Sequence, residues 1–223
     1  MPDVPVLTID GPSGSGKGTI TRLVADELGW HILDSGAIYR VLSLYALQKG
    51  VLEDTAALVN LAHNLPVKFL YSRVFLEEQD VSTEIRSEEC GAAASKIAVL
   101  AVVREALLER QRSFAQLPGL VADGRDMGTV VFPQAFLKIY LDASAEERAK
   151  RRFLQLKESG YNVKLQDLVA DIMQRDMRDK SRAVSPLKPA SDAVILDTTS
   201  LGVQEVYQTV IAEVQQRLSN FNV

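Results

Sequence analysis

A glycine-rich stretch near the N-terminus carries the clearest chemical signal in the sequence. It has the spacing Gly-x-x-x-x-Gly-Lys from Gly11 to Lys17, which is typical of a loop that binds nucleotide phosphates. The glycines let several backbone N–H groups point into one hollow, and the lysine adds a full positive charge for the β- and γ-phosphates. The predicted phosphate-binding residues are Gly11, Pro12, Ser13, Gly14, Ser15, Gly16, Lys17, Gly18 and Thr19.

The segments on either side of this loop have the patterns needed to position it. Residues 6–9 form an apolar run that predicts a buried strand, and the residues after Lys17 carry apolar side chains at helical spacing. A helix that begins at Lys17 adds its unpaired N–H groups and a partial positive charge to the site. The alternative, an ordinary glycine-rich turn before a helix, is disfavoured by the full spacing, the lysine and both flanking elements.

The position after the lysine departs from the general motif. Gly18 stands where a Ser or Thr commonly binds Mg²⁺, and the hydroxyl comes one place later, at Thr19. Thr19 and Asp123 are both candidate Mg²⁺ ligands. The magnesium ligands therefore stay open, and the ion is expected to be held largely by phosphates and water.

Composition narrows the class of protein. The chain has 223 residues, of which 47% are hydrophobic, and a net charge of −4, which argues against a general nucleic-acid binder. No apolar run reaches the roughly 18 residues of a membrane span, and we see no secretory signal at the N-terminus. The single cysteine, Cys90, is typical of a reducing, cytoplasmic setting. We expect a monomer.

The order of elements predicts an α/β fold. Strand and helix patterns alternate up to residue 64 and again from residue 120, which indicates a parallel sheet with right-handed crossovers. Residues 65–100 differ. Two short β-rich runs at residues 67–71 and 74–77 are joined by a tight turn at Ser72 and Arg73. A second turn at Glu78 and Gln79 leads to short runs at residues 80–82 and 85–86, and together they predict a small antiparallel hairpin unit.

A second loop is expected at the same edge of the sheet as the glycine-rich loop. A predicted strand, residues 120–123, ends in Asp123 and is followed by Arg125 and Asp126. In open parallel sheets, ligands lie at the carboxyl ends of the strands. Asp123 is a candidate metal-associated acid, or a carboxylate that orients Lys17 or an arginine.

Two predicted helices carry arginines at helical spacing. The first begins with a Ser-x-x-Glu capping box at Ser144. The arginines and the acid that share faces of these helices are Arg148, Arg151 and Arg152 on the first and Arg175, Arg178, Asp179 and Arg182 on the second. The alternative is a solvated face with salt bridges. The phosphate-binding loop makes binding of a multivalent anion the favoured interpretation.

Together these residues suit phosphoryl transfer, which needs in-line positioning and charge stabilisation. A phosphate acceptor is largely ionised, because its second pKa is about 6. It needs no general base, and the sequence offers no obvious one. A phosphate acceptor is therefore favoured over a hydroxyl acceptor.

The sequence closely resembles the bacterial cytidylate kinases over nearly its whole length. The resemblance rests on four motifs in order, at residues 11–19, 33–40, 122–129 and 175–182. It implies transfer of the γ-phosphate of ATP, with Mg²⁺, to CMP or dCMP. It also implies one P-loop kinase domain over residues 1–223, with a five-stranded parallel core flanked by helices. A nucleoside-monophosphate-binding insert (65–100) and a short lid (150–164) are expected.

The resemblance also implies a role for individual residues. Lys17, Arg125, Arg148 and Arg152 would act at the transferring phosphate. Arg148, Arg151 and Arg152 would lie at the lid. The acceptor would be bound by Arg40 and Arg125 at its phosphate, by Ser35, Arg104, Asp126 and Arg182 at cytosine, and by Ser95, Arg175 and Asp179 at the sugar.

The chemistry of Asp126 independently supports cytosine as the nucleobase of the acceptor. Cytosine offers an amino donor where uracil has a carbonyl acceptor. An ionised carboxylate accepts from the amine and repels the carbonyl. The alternative for Asp126 is a salt bridge to Arg125 or another arginine.

Two other functions stay open from the residues. One is a P-loop kinase acting on UMP, AMP or a small hydroxyl metabolite. The other is a regulatory nucleotide switch without transfer activity, although the sequence lacks the Asn-Lys-x-Asp motif of guanine-specific switches.

Overall fold

A computed structural model describes residues 4–70, 73–158, 160 and 162–218. Its elements, in chain order, are β1 (Val6–Asp10), α1 (Lys17–Leu28), β2 (His31–Asp34), α2 (Ser35–Lys49), α3 (Thr55–His63), β3 (Val67–Leu70), β4 (Arg73–Leu76), β5 (Gln79–Asp80), α4 (Glu88–Ile97), α5 (Ala101–Arg112), β6 (Leu120–Gly124), β7 (Leu137–Asp142), α6 (Ala145–Glu158), α7 (Leu165–Lys180), β8 (Val194–Asp197) and α8 (Val203–Leu218).

The chain divides into two compact units. The first unit consists of Met1–Leu33 with Phe114–Val223, and the second is Asp34–Ser113. The predicted insert, residues 65–100, lies inside the second unit. Ser159 and Tyr161 of the predicted lid, and Tyr71 and Ser72 of the predicted hairpin, lie outside the described residues.

The first unit is built on a five-stranded sheet with strand order β2-β6-β1-β7-β8. Strand β1 pairs in parallel with β6 and β7, and β7 pairs in parallel with β8. All five residues of β1 are buried, as expected for a central strand covered on both faces. The predicted α/β fold with a five-stranded parallel sheet is confirmed.

Two helices cover one face of this sheet. The buried cluster joins Leu7 and Ile9 of β1 to Ile20 and Val24 of α1 and to Val210 of α8. Burial of these aliphatic side chains contributes roughly 1.5–3 kcal/mol each. The packing fixes the start of α1 directly after β1, so the loop between them projects from the carboxyl end of the sheet.

The second unit joins four helices to a small sheet. Helix α2 packs against α3 and α4, and α3 packs against α5. The predicted antiparallel pairing is present, with Val67 opposite Leu76 and Leu70 opposite Arg73. A short third strand, β5, pairs with β4 at Gln79 and Asp80, one residue earlier than the predicted run from Asp80 to Ser82.

Helix starts follow local capping. The Asp34 side chain accepts from the Ala37 N–H at 2.9 Å and caps α2, which begins at Ser35. The Ser144 hydroxyl accepts from the Glu147 N–H at 3.2 Å, as the capping box predicted. Within the described residues, no helix is long and apolar enough to cross a membrane.

Candidate functional site

The glycine-rich loop runs from the end of β1 to the start of α1. Gly11 has φ of +150°, and a side-chain Cβ there would lie 2.0 Å from the backbone oxygen of Leu141. Gly14 and Gly16 also have positive φ, at +79° and +91°. The backbone conformation therefore requires glycine at these positions. The predicted strand, loop and helix are all present.

Lys17 is buried at the first position of α1. Its ammonium group donates to the backbone oxygen of Pro12 at 2.7 Å. Burial, followed by repulsion from Arg125, lowers the pKa of Lys17 to about 7. Negatively charged phosphates at this position would favour the charged form and oppose both effects. The loop is thus built to attract a multivalent anion.

Asp123 faces the beginning of α1. Its Oδ2 atom lies 3.8 Å from the position that a Cβ on Gly18 would occupy. The negative charge of Asp123 also favours the charged form of Lys17. Among the described residues, no group of three or more His, Cys, Asp or Glu side chains is arranged to hold a metal ion. A single carboxylate beside a phosphate loop fits a Mg²⁺ ion that keeps most of its water.

Arg125, Asp179 and Arg182 form a buried ion-pair cluster. Arg125 Nε donates to Asp179 Oδ2 at 2.9 Å, and Arg182 Nη2 donates to Asp179 Oδ1. Burial acts to raise the pKa of Asp179, but Arg125 and Arg182 outweigh it and hold the pKa below its usual value. The salt bridges considered as the alternative are therefore present. They are largely buried, however, and do not form a solvated face.

Removing the central carboxylate is expected to destabilise the fold strongly. Asp179→Ala leaves two largely buried arginines without their shared carboxylate, which costs about 3–5 kcal/mol of unfolding free energy. The control Asp171→Ala removes an exposed carboxylate from the same helix and is expected to change stability by less than about 0.5 kcal/mol. Urea unfolding measures both. A loss below about 1 kcal/mol for Asp179→Ala would show that the cluster is not a stabilising unit.

Asp126 is buried and precedes a turn that the sequence did not predict. Its backbone oxygen accepts from the N–H groups of Val130 and Val131 at 2.9 and 3.2 Å, which closes a π-helical turn over Met127–Val131. Such turns are rare and often occur at functional sites. The turn fixes the backbone of Asp126 at the carboxyl end of β6.

Asp10 is a functional candidate that the sequence reasoning missed. Its carboxylate accepts from the Met127 and Gly128 N–H groups, both at 2.8 Å. Burial raises the pKa of Asp10 to about 6, and the negative charge of Asp126 adds to this shift, although the two N–H donors oppose it. The only signal in the sequence was an acidic residue at the end of an apolar strand.

The raised pKa predicts how Asp10 affects stability with pH. The folded-state pKa lies above the unfolded value of 3.8, so its stabilising contribution is complete below the unfolded pKa and is lost as the pH rises through about 6. Relative to Asp10→Asn, the wild type is expected to lose roughly 1–2 kcal/mol of unfolding free energy between about pH 5 and pH 7.5. Denaturant unfolding of both proteins at the two pH values measures this. If the free energy of unfolding of the wild type, relative to that of Asp10→Asn, stayed constant or rose with pH, the burial argument would be contradicted.

Arg148 and Arg151 make specific contacts instead of forming one exposed basic face. Arg148 is buried, donates to the backbone oxygen of Ser13 at 3.0 Å and pairs through both terminal nitrogens with Asp176. Arg151 pairs with Glu147 at 3.1 Å and donates to Thr198. Arg148 therefore supports the phosphate loop from α6 in the free protein. Arg152 is half-buried on the same helix.

The second unit contains four of the predicted acceptor residues, and Arg175 lies on α7 of the first unit. Ser35 is buried at the first position of α2. Arg40 donates to the backbone oxygens of Ile85 and Ser87 at 2.7 and 3.3 Å. These backbone contacts tether the Arg40 side chain within its own unit.

Arg104 and Ser95 lie in the helical part of the same unit. The Arg104 guanidinium lies 5.5 Å from the centre of the Tyr39 ring and donates to the backbone oxygen of Ala98 at 3.1 Å. The Ser95 hydroxyl is buried and has no hydrogen-bond partner among the described residues. A buried hydroxyl in this state is a candidate for contact with a ligand or water.

Comparison with known proteins gives consistent results. The cytidylate kinase family model matches residues 7–216. A protein of Aeromonas hydrophila named cytidylate kinase is 58% identical over 226 aligned residues, covering 99% of this chain and 98% of that protein. Proteins of the same name from Photobacterium profundum and Klebsiella pneumoniae are 56% and 54% identical, and each alignment covers at least 96% of both chains. On this similarity, and with the phosphate loop in place, the chain belongs to the cytidylate kinase family.

Proposed function

We propose that this protein transfers the γ-phosphate of ATP to CMP or dCMP, giving ADP and CDP or dCDP, as a step of pyrimidine nucleotide metabolism. Within the chain's membership of the cytidylate kinase family, the observation that carries the proposal is the buried Lys17 in the glycine-rich loop. Burial and repulsion from Arg125 lower its pKa, and a bound triphosphate would favour the charged form.

The chemical step needs few protein groups. An oxygen of the acceptor phosphate forms a bond to the γ-phosphorus, and the bond from that phosphorus to the β–γ bridging oxygen breaks. The acceptor is already largely ionised at neutral pH, since its second pKa is about 6. The protein therefore has to align the two phosphates and offset their repulsion. Lys17, Arg125, Arg148 and Arg152 are the proposed residues for this role.

The residues proposed to bind the acceptor are those that the family resemblance implies. Arg40 and Arg125 would bind its phosphate, while Ser35, Arg104, Asp126 and Arg182 would surround cytosine. Ser95, Arg175 and Asp179 would contact the sugar. The hydroxyl of Ser95, which has no hydrogen-bond partner within the described part of the chain, supports the sugar contact. The low pKa of Asp179 supports it too, because an ionised carboxylate accepts hydrogen bonds from ribose hydroxyls.

Arg182 can contact cytosine and also keep its ion pair with Asp179. Its pair with Asp179 leaves further guanidinium donors, because arginine has five N–H groups. In the proposed complex, Arg182 keeps its ion pair and donates to the cytosine ring. The ion pair then fixes the direction of the guanidinium before the substrate arrives.

Mg²⁺ is proposed as the companion of ATP. Thr19 and Asp123 are the side chains placed to bind it, mainly through water. The ion would neutralise charge on the β- and γ-phosphates. Residues 65–100 are the proposed monophosphate-binding insert, and residues 150–164 the proposed lid. We further propose that the protein acts as a cytoplasmic monomer.

A product assay tests the proposed reaction. Purified protein, incubated with ATP, Mg²⁺ and CMP, is expected to form CDP and ADP in equal amounts, as separated by ion-exchange chromatography. Omitting CMP should stop ADP formation. Binding of GTP in preference to ATP, with no CDP formed, would support the nucleotide-switch alternative instead.

A further inference from the structure

The carboxylate of Asp10 lies at the junction of the two loops that carry the proposed chemistry. Asp10 is the last residue of β1, and the glycine-rich loop begins at the next position. Its Oδ1 and Oδ2 atoms accept from the N–H groups of Met127 and Gly128, each at 2.8 Å. Asp126, the proposed cytosine-reading residue, immediately precedes these two positions.

The turn after Asp126 is held against β1 by shape as well as by hydrogen bonds. A Cβ added to Gly128 would lie 2.8 Å from Thr8 Oγ1 and 3.1 Å from Lys138 Cδ. The backbone of the turn therefore lies too close to Thr8 of β1 and Lys138 of β7 for a side chain at this position. The two hydrogen bonds to Asp10 hold the same turn directly after Asp126.

We propose that Asp10 is a positioning residue for substrate selection, which holds Asp126 where its carboxylate meets the amino group of cytosine. This inference rests on the proposed function. It makes Asp10 part of base recognition without contact between Asp10 and the nucleotide. A displacement of about 1 Å in a reading group is enough to weaken a hydrogen bond on which discrimination depends.

The variant Asp10→Asn separates this role from general stability. An amide offers one acceptor oxygen, and its NH₂ group would face the second backbone N–H. One buried N–H is then left without an acceptor, which is unfavourable and is relieved if the turn shifts. We expect the ratio of kcat/KM for CMP to that for UMP to fall about tenfold, through a higher KM for CMP. The KM for ATP is expected to change by less than about threefold, because Lys17 and its loop remain.

Two comparisons make the test specific. The control Thr8→Val alters the neighbouring residue of β1, whose hydroxyl has no hydrogen-bond partner among the described residues. It is expected to leave the CMP-to-UMP ratio within about twofold of wild type. In an Asp126→Asn background, Asp10→Asn should no longer change the ratio, since the group that it positions is absent.

The outcomes distinguish this inference from the proposed function. No CDP formation by the wild type would refute the proposed function itself. A wild type that forms CDP, with an unchanged CMP-to-UMP ratio in Asp10→Asn, would overturn only the positioning role. An equal loss of the ratio in both backgrounds would also overturn it. Asp10→Ser, which leaves room for water at the two N–H groups, is the second variant. If neither Asp10→Asn nor Asp10→Ser folds, Asp10 is a general stability residue and the positioning role is overturned.

Discussion

Lys17→Met is expected to lower kcat/KM for phosphoryl transfer by about a thousandfold or more while the fold is retained. Removing a single preorganised donor from a charged transition state already costs about a hundred- to a thousandfold. Lys17 adds a full positive charge in a buried position at the phosphate loop. Methionine has a similar length and flexibility but offers neither charge nor donor.

Lys17→Met is expected to lower activity but not to lower the stability of the fold. Burial and the repulsion of Arg125 disfavour the charged form of Lys17, as its lowered pKa shows. An apolar side chain at this position removes that cost. The free energy of unfolding of Lys17→Met is therefore expected to equal or exceed that of the wild type.

Steady-state kinetics and thermal unfolding together test this prediction. Lys49→Met, which removes an exposed lysine at the end of α2, is the control and should keep full activity. Activity of Lys17→Met within about tenfold of wild type, with an intact fold, would contradict the role of the phosphate loop in catalysis.

Asp126→Asn is expected to reduce the preference for CMP over UMP by about a hundredfold, with little change in the KM for ATP. An ionised carboxylate only accepts hydrogen bonds, whereas an amide also donates. The asparagine NH₂ group can therefore donate a hydrogen bond to the uracil carbonyl that the aspartate repels. Because Asp126 is buried, water has little access to compensate a mismatched pair.

The comparison of kcat/KM for CMP and UMP in wild type and variant measures this effect. Asp192→Asn, which removes a carboxylate paired with Lys138 at 2.9 Å, is the matched control in the same unit. An unchanged CMP-to-UMP preference, together with a large fall in melting temperature, would instead favour a purely structural salt bridge for Asp126.

The local patterns of the sequence predicted the sheet and its main loop. The apolar run of β1, the loop glycines and the helical spacing after Lys17 are all local signals, and the structure contains each element. The antiparallel hairpin of the second unit was predicted in the same way. The short strand β5, Gln79–Asp80, begins one residue before the run predicted from Asp80, because two residues are too few to fix its bounds from periodicity.

Tertiary contacts explain what the sequence could not predict. The Asp10 carboxylate and the N–H groups that it binds are more than a hundred residues apart in the chain. No local sequence pattern predicts the contact between this carboxylate and those N–H groups. Similarly, the helical spacing predicted a basic face for α6, but the partners of Arg148 are the Ser13 backbone oxygen and Asp176. Which arginines bind substrate and which bind the protein depends on the folded arrangement.

Initial rates of ADP release across nucleoside monophosphates test the central claim most directly. The assay couples ADP formation to an observable signal and compares CMP, dCMP, UMP and AMP at equal concentrations of Mg²⁺ and ATP. We predict that CMP or dCMP gives kcat/KM values at least about a hundredfold above those of UMP and AMP. Equal values for UMP or AMP, or no ADP release with any of the four, would contradict the account.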